Sequence, residues 1–258
     1  MPTAAPPTEP AFVLFAPSHL ATLAVVALAV LALPLAGRRL PAAAQRRVAV
    51  TMALVMVVGR LADTLMRRLA WGVPIREQLP LHLCGILAFV CAWMLWRESY
   101  PTFEIAYFWG LAGTTQALVT PDLPVGFPHA GYLAFFANHA LLLVSVAWGM
   151  AVLGFRPRPR SIVRAWLAVN VYAALVAPVN LLLDTNYLYL RRKPAGASLL
   201  DHFGPWPWYL LALEAVALVL FAFCYLPWAL ADRGRRRTSE NGTPGGGDGR
   251  RGGAAAAG

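Results

Sequence analysis

Apolar residues in this chain gather into runs close to the ~20 residues that a helix needs to cross a bilayer's hydrocarbon core. Seven such runs can be drawn, at 18–36, 48–66, 79–96, 103–119, 131–153, 162–183 and 206–230. Only 13% of the 258 residues are charged, against ~25% in an ordinary soluble domain, which excludes a soluble enzyme. The expected fold is all-α: a polytopic seven-helix transmembrane bundle over residues 18–230. A short extracellular segment, 1–17, precedes it, and a disordered, basic Gly/Ala/Arg-rich cytoplasmic tail, 231–258, follows it. The first run is not a cleavable leader, since no Lys or Arg precedes it and Arg38 and Arg39 follow it instead.

Direction follows from the basic residues, because positively charged loops stay in the cytoplasm. With the N-terminus outside and the C-terminus cytoplasmic, the inner segments hold 15 arginines and the outer loops hold 6 basic residues, with Arg60 inside a span. The formal net charge of +10 is thereby a topology signal, and no nucleic-acid partner is needed to explain it. The expected location is a cell membrane, multi-pass.

Polar side chains within the runs should converge. A central charge costs roughly 2.5–3.5 kcal/mol to insert, so each asks for a partner or a purpose. By the parity of the spans, His19, Arg60, Asp63, His82, Cys84, Thr114, Asn138, His139, Asn180, Asp184 and Glu214 share one membrane face, which predicts a polar cavity on the outer side. Structural roles compete with functional ones. Asp63 can pair with Arg60 and Arg67 along its own helix. Asn180 can satisfy a carbonyl freed by Pro178. Glu214 has no cation one turn away, so it is protonated or paired across helices.

The stretch Leu79-Pro80-Leu81-His82-Leu83-Cys84-Gly85 has the most specific mechanical reading. Pro80 suits a first helical turn, which sets Cys84 near a helix N-terminus, where dipole and free N–H groups favour a thiolate. His82, two residues away, diverges by about 200° in a regular helix and cannot serve as its base. His139 in the fifth run is the best candidate, and a Cys–His pair across two helices is the activated-nucleophile arrangement of acyl transfer. A lone membrane cysteine is also commonly a small packing residue.

The same residues carry a resemblance. The Leu79–Gly85 stretch, Asn138-His139, the run from Asn186-Tyr187 to Lys193-Pro194 and Gly204-Pro205-Trp206-Pro207-Trp208-Tyr209 together resemble the YwaF-type bacterial integral membrane proteins. That family is related to an animal transmembrane acyltransferase acting on ether phospholipids through a cysteine. The resemblance covers residues 17–230 and implies Cys84 as nucleophile and His139 as base.

Three functions stay open at this stage. The first is a phospholipid acyltransferase or acyl hydrolase, with His82, Asn138, Asn180, Asp184, Arg191, Arg192 and Glu214 as candidate substrate contacts. The second is a zinc hydrolase drawing on same-side histidines with Cys84, Asp184 and Glu214, although no HxxxH or HExxH pair is present. The third is a transporter or solute-binding protein without chemistry, for which no inverted repeat is evident. No cofactor and no metal ligand set is assigned, the expected partner is a membrane lipid, and the oligomeric state is left open.

Overall fold

An apolar chain in lipid must satisfy its backbone polar groups internally, and these runs do so as helices. The computed structural model describes residues 10–193 and 199–241. In chain order they form α1 (Pro17–Gly37), α2 (Ala42–Trp71), α3 (Leu83–Arg97), α4 (Tyr100–Trp109), a π-helical turn (Gly110–Thr114), α5 (Thr115–Val119), α6 (Ala130–Ala151), α7 (Pro159–Leu183) and α8 (Trp208–Asn241), with short 3-10 turns between. The π turn joins α4 to α5 without a break, so there are seven helical stretches. Among the described residues there is no strand, only an isolated bridge between Ala11 and Val125.

Five helices, α1, α2, α6, α7 and α8, are long and apolar enough to cross a membrane. The other two stretches, α3 and α4–π–α5, occupy the interior. Leu87, Cys91, Met94 and Leu95 of α3 and Phe103, Ala106 and Phe108 of α4 have no exposed surface. Helix α3 packs on α2, α4 and α6, while α1 lies mainly on α6. The long helices turn Leu28, Leu54, Leu61, Leu175, Leu182 and Phe223 outward, the apolar surface that a lipid solvent requires.

Helix α4 is tied to its neighbours by polar contacts. Glu104, 1% exposed, accepts from Ser161 Oγ at 2.5 Å and Arg164 Nη1 at 2.7 Å, both on α7. Tyr107 donates to the Cys224 carbonyl of α8 at 2.9 Å and accepts from Trp228 Nε1. A buried carboxylate needs such partners. Glu104, at the start of the fourth apolar run, is in the fold an interhelical clasp.

Three boundaries differ from expectation. The fourth run begins at Tyr100 and changes to π geometry at Gly110. The third begins as helix only at Leu83, four residues later than the apolar run. Helix α8 continues to Asn241, into the segment expected as tail, and residues 1–9 and 242–258 of the two expected terminal segments lie outside the described residues.

Candidate functional site

The site begins at the start of α3. Leu81 N–H donates to the Leu79 carbonyl at 2.7 Å in a tight turn, and His82, in extended backbone (φ −68°, ψ 151°), is the N-cap. Pro80 therefore lies in the turn before the helix instead of in its first turn. Cys84 becomes the second helical residue, at the positive end of the helix dipole. Close packing fixes this entry: a Cβ on Gly85 would stand 2.9 Å from the Pro80 carbonyl carbon and oxygen. Backbone cannot yield as a flexible side chain can. Gly85→Ala is thus expected to displace the turn, cost about 1–3 kcal/mol and slow alkylation of Cys84 in the folded protein. Alkylation and melting unchanged from wild type would show that the contact is not limiting.

Arg60 of α2 is the hub. Its charge reaches His82, Cys84, His139 and Tyr187, residues from three other parts of the chain. The helix-surface pairing expected for it is present, but Arg60 is the weaker member. Asp63 lies 3.2 Å from Arg67 Nε and 3.8 Å from Arg60 Nη1, and Arg60 Nε is buried without a hydrogen-bond partner. Asn138 of α6 faces the same stretch, with its Oδ1 3.9 Å from where a Gly59 Cβ would stand.

His139 is one helical step beyond Asn138. Its Nδ1 lies 2.7 Å from the Phe135 carbonyl, and the ring lies against that of Phe135, centroids 4.1 Å apart. A carbonyl can only accept, so Nδ1 carries the proton and Nε2 keeps the lone pair of a base. No hydrogen bond joins Cys84 to His139 among the described residues; the element bordering both is Arg60. Thr114, the last residue of the π turn, is fully buried beside the Cys84 thiol, and its hydroxyl makes no well-aligned hydrogen bond.

On the loop side of Cys84 lies an open cleft of about 460 Å3, lined by His82, Asp184, Tyr187, Tyr189, Arg192 and Lys193 among others. The His82 ring meets Tyr187 edge-on at 5.0 Å and Tyr189 at 5.8 Å. Burial raises both tyrosine hydroxyls above their ordinary range, so they remain neutral donors at physiological pH. Asn180 holds this wall. Its Nδ2 donates to the Tyr187 carbonyl at 2.9 Å, and its Oδ1 accepts from Tyr187 N–H at 2.7 Å and Thr185 Oγ1 at 3.0 Å. The partner of Asn180 is thus the following loop and not a carbonyl freed by Pro178. Arg191 closes the C-terminal end of α7, donating to the carbonyls of Asn180 and Thr185 and to Asp184 Oδ1 at 2.7 Å. That guanidinium holds the exposed Asp184 carboxyl below the usual carboxylate range. The pair's contribution is present above the unfolded-state pKa and is lost as pH falls through the lowered value.

Other expected members stand elsewhere. Glu214 accepts from Trp166 Nε1 at 2.6 Å and Asn170 Nδ2 at 3.0 Å, the cross-helix pairing that was one of its two readings, and makes no contact with the Cys84 group among the described residues. His19 is fully buried; its Nδ1 accepts from Phe15 N–H and its Nε2 lies 3.0 Å from the Leu118 carbonyl. His129 is the N-cap of α6. The polar residues thus form several local networks in place of one shared cavity. Among the described residues no three His, Cys, Asp or Glu side chains gather to hold a metal. The zinc reading loses its ligand set.

Span parity put Arg60 and Thr114 at the depth of Cys84 but did not single them out as its neighbours. A second sequence signal for Thr114 is the pair Gly110 and Gly113, where missing side chains let Val146 and Leu83 approach the π turn.

No curated protein and no solved structure shows significant similarity to the chain. A family model, that of the TMEM164 family, matches residues 14–225, which include every helix that forms the site. With that match spanning most of its length, this integral membrane chain belongs to the TMEM164 family.

Proposed function

We propose that the protein is a phospholipid acyltransferase or acyl hydrolase of the cell membrane, working through Cys84 as nucleophile and His139 as base. The observation that carries this is the convergence on Arg60. Arg60 of α2 acts electrostatically on both the Cys84 thiol at the N-terminus of α3 and the His139 imidazole of α6, whose Nε2 is available. The charge balance of the loops supports seven crossings with the N-terminus outside, which puts the cleft above His82 at the outer leaflet.

The chemistry runs in two halves. His139 Nε2 takes the Cys84 proton as sulfur attacks an ester carbonyl of a phospholipid. The tetrahedral intermediate collapses with cleavage of the bond between the acyl carbon and the glycerol oxygen, and the imidazolium returns its proton to the departing alkoxide, leaving lysophospholipid and an acyl thioester on Cys84. An acceptor hydroxyl, from a second lysolipid or from water, then gives its proton to His139 and attacks the thioester, and the expelled thiolate recovers that proton. Arg192 and Lys193 in the cleft, beside His82, suit the lipid phosphate, and the carboxylates of Glu77, Asp122 and Asp184 on the same lining suit a cationic head group such as choline.

The test is direct. Purified protein mixed with phosphatidylcholine vesicles carrying isotopically labelled acyl chains is expected to gain the mass of one acyl group. Peptide mapping should place it on Cys84, and hydroxylamine should remove it. Consumption of lipid with no adduct on any cysteine would overturn the covalent reading, and no reaction with any phospholipid tried would overturn the enzymatic one.

A further inference from the structure

Hydroxyls on these helices ordinarily find an acceptor one turn back. Thr22, Thr64 and Thr120 each donate to the carbonyl four residues earlier, at 2.8, 3.1 and 3.2 Å, and the fully buried Ser145 does so at 2.7 Å. Thr114 does not, although it has no exposed surface at all. It ends the π turn, where the i→i+5 ladder shifts the carbonyl that a threonine would reach in an α-helix. Four buried side-chain N or O atoms have no partner among the described residues: Arg60 Nε, Gln78 Oε1, Thr114 Oγ1 and Trp148 Nε1. Gln78 Oε1 can only accept, and Trp148 lies against Gly37 at the junction of α1 and α6. The remaining two are both able to donate: the Thr114 hydroxyl lies beside the Cys84 thiol, where Gly113 packs on Leu83, and Arg60 is the cation whose charge acts on that thiol. Two buried donors without an oxygen acceptor beside one nucleophile are the arrangement a developing oxygen anion would satisfy.

We infer that Arg60 Nε–H and Thr114 Oγ1–H form the oxyanion site of the Cys84 reaction, donating to the ester carbonyl oxygen as it becomes negative. The inference rests on the acyl-transfer reading above. When sulfur bonds to the carbonyl carbon, the C=O π pair moves onto oxygen, and these two donors receive it. When the bond between the acyl carbon and the glycerol oxygen breaks, the pair returns and the donors are released. Helix α3 contributes the sulfur, α2 the charge and the π turn the hydroxyl, so the turn's function is to deliver Thr114 free of a backbone acceptor.

Two rates on the full-length protein separate this role from a structural one: appearance of the Cys84 acyl adduct from labelled phosphatidylcholine vesicles, and alkylation of Cys84 by iodoacetamide, which builds no oxyanion. Thr114→Val, isosteric without the donor, is expected to slow acylation by about 10²-fold and to leave alkylation within about threefold of wild type. Thr114→Ser should restore most of the acylation rate, and Arg60→Gln should slow acylation in the same selective way. Thr114→Val acylating at the wild-type rate would overturn the inference while leaving the enzyme intact. So would equal losses in acylation and alkylation, which mark a disturbed fold. Absence of any adduct in the wild type removes the acyl-transfer reading and this site with it.

Discussion

Replacing Cys84 with alanine is expected to reduce acyl transfer by at least about 10³-fold while the protein still folds, inserts and melts as a bundle. The size follows from the role: without sulfur there is no thioester, and a residue that forms a covalent bond to substrate is not replaced by the binding and electrostatics left behind. The structural cost is small because Cys84 occupies the first turn of α3, is only partly buried, and loses one atom. The other two cysteines are the internal control. Cys91, two turns further along α3, is completely buried, and Cys224 lies on α8, where its backbone carbonyl, not its sulfur, accepts from Tyr107. Cys91→Ala and Cys224→Ala should each retain transfer within about twofold once compared at equal amounts of folded protein. Lipid profiles of cells expressing each variant, together with transfer by the purified proteins, decide the matter. A Cys84→Ala protein that transfers at the wild-type rate would take Cys84 out of the mechanism.

The sequence reading holds where one physical rule governs, and fails where two compete. Length and apolarity identify all seven helical stretches because lipid leaves a backbone no alternative. The start of α3 is misplaced because Pro80 fits both a first helical turn and the turn before one. What decides between them is the Gly85–Pro80 contact, a close approach of two backbones that no pattern along one strand of sequence reveals. Arg60 is a comparable case. Its spacing to Asp63 and Arg67 is correct for a helix-surface cluster, and that cluster forms. Its inward reach toward Cys84 and His139 depends on which face α2 turns to α3 and α6, which spacing does not encode. For Glu214 the sequence leaves two outcomes, and the fold supplies the cross-helix partners Trp166 and Asn170. The shared polar cavity is the largest disagreement. Parity places polar residues at one depth, but angular position around the bundle separates His19 and Glu214 from the Cys84 group.

Asn180→Ala is expected to be the most disruptive single change outside the reacting groups, costing at least about 3 kcal/mol. Each buried group left unpaired costs roughly 1–3 kcal/mol, and three are affected: the N–H and carbonyl of Tyr187, and the Thr185 hydroxyl. The loop they hold is itself strained. Asp184, Leu188 and Tyr189 all have positive φ, 51°, 58° and 54°, a conformation that costs a side-chain-bearing residue about 1–2 kcal/mol. Such backbone persists only while its surroundings over-determine it, and Asn180 shares that task with Asn186 and with the Tyr209 hydroxyl on the Tyr189 carbonyl. Once it is removed, Leu188 and Tyr189 can relax toward ordinary geometry, and Tyr187 carries its ring away from His82, the cap of the helix that begins with Leu83 and Cys84. The effect should therefore appear at two places. Amide hydrogen exchange at Thr185 and Tyr187 should accelerate, and alkylation of Cys84 should change even though residue 180 does not touch it. Arg191→Ala separates loop from cap: it removes the ties to Asp184 and the end of α7 but leaves the Asn180–Tyr187 bonds in place, so exchange should accelerate at Thr185 more than at Tyr187. Exchange at Tyr187 as slow in Asn180→Ala as in the wild type would mean that the tyrosine is held by its hydroxyl's bond to the Arg76 carbonyl, and the chain of support from α7 through the loop to His82 would be broken.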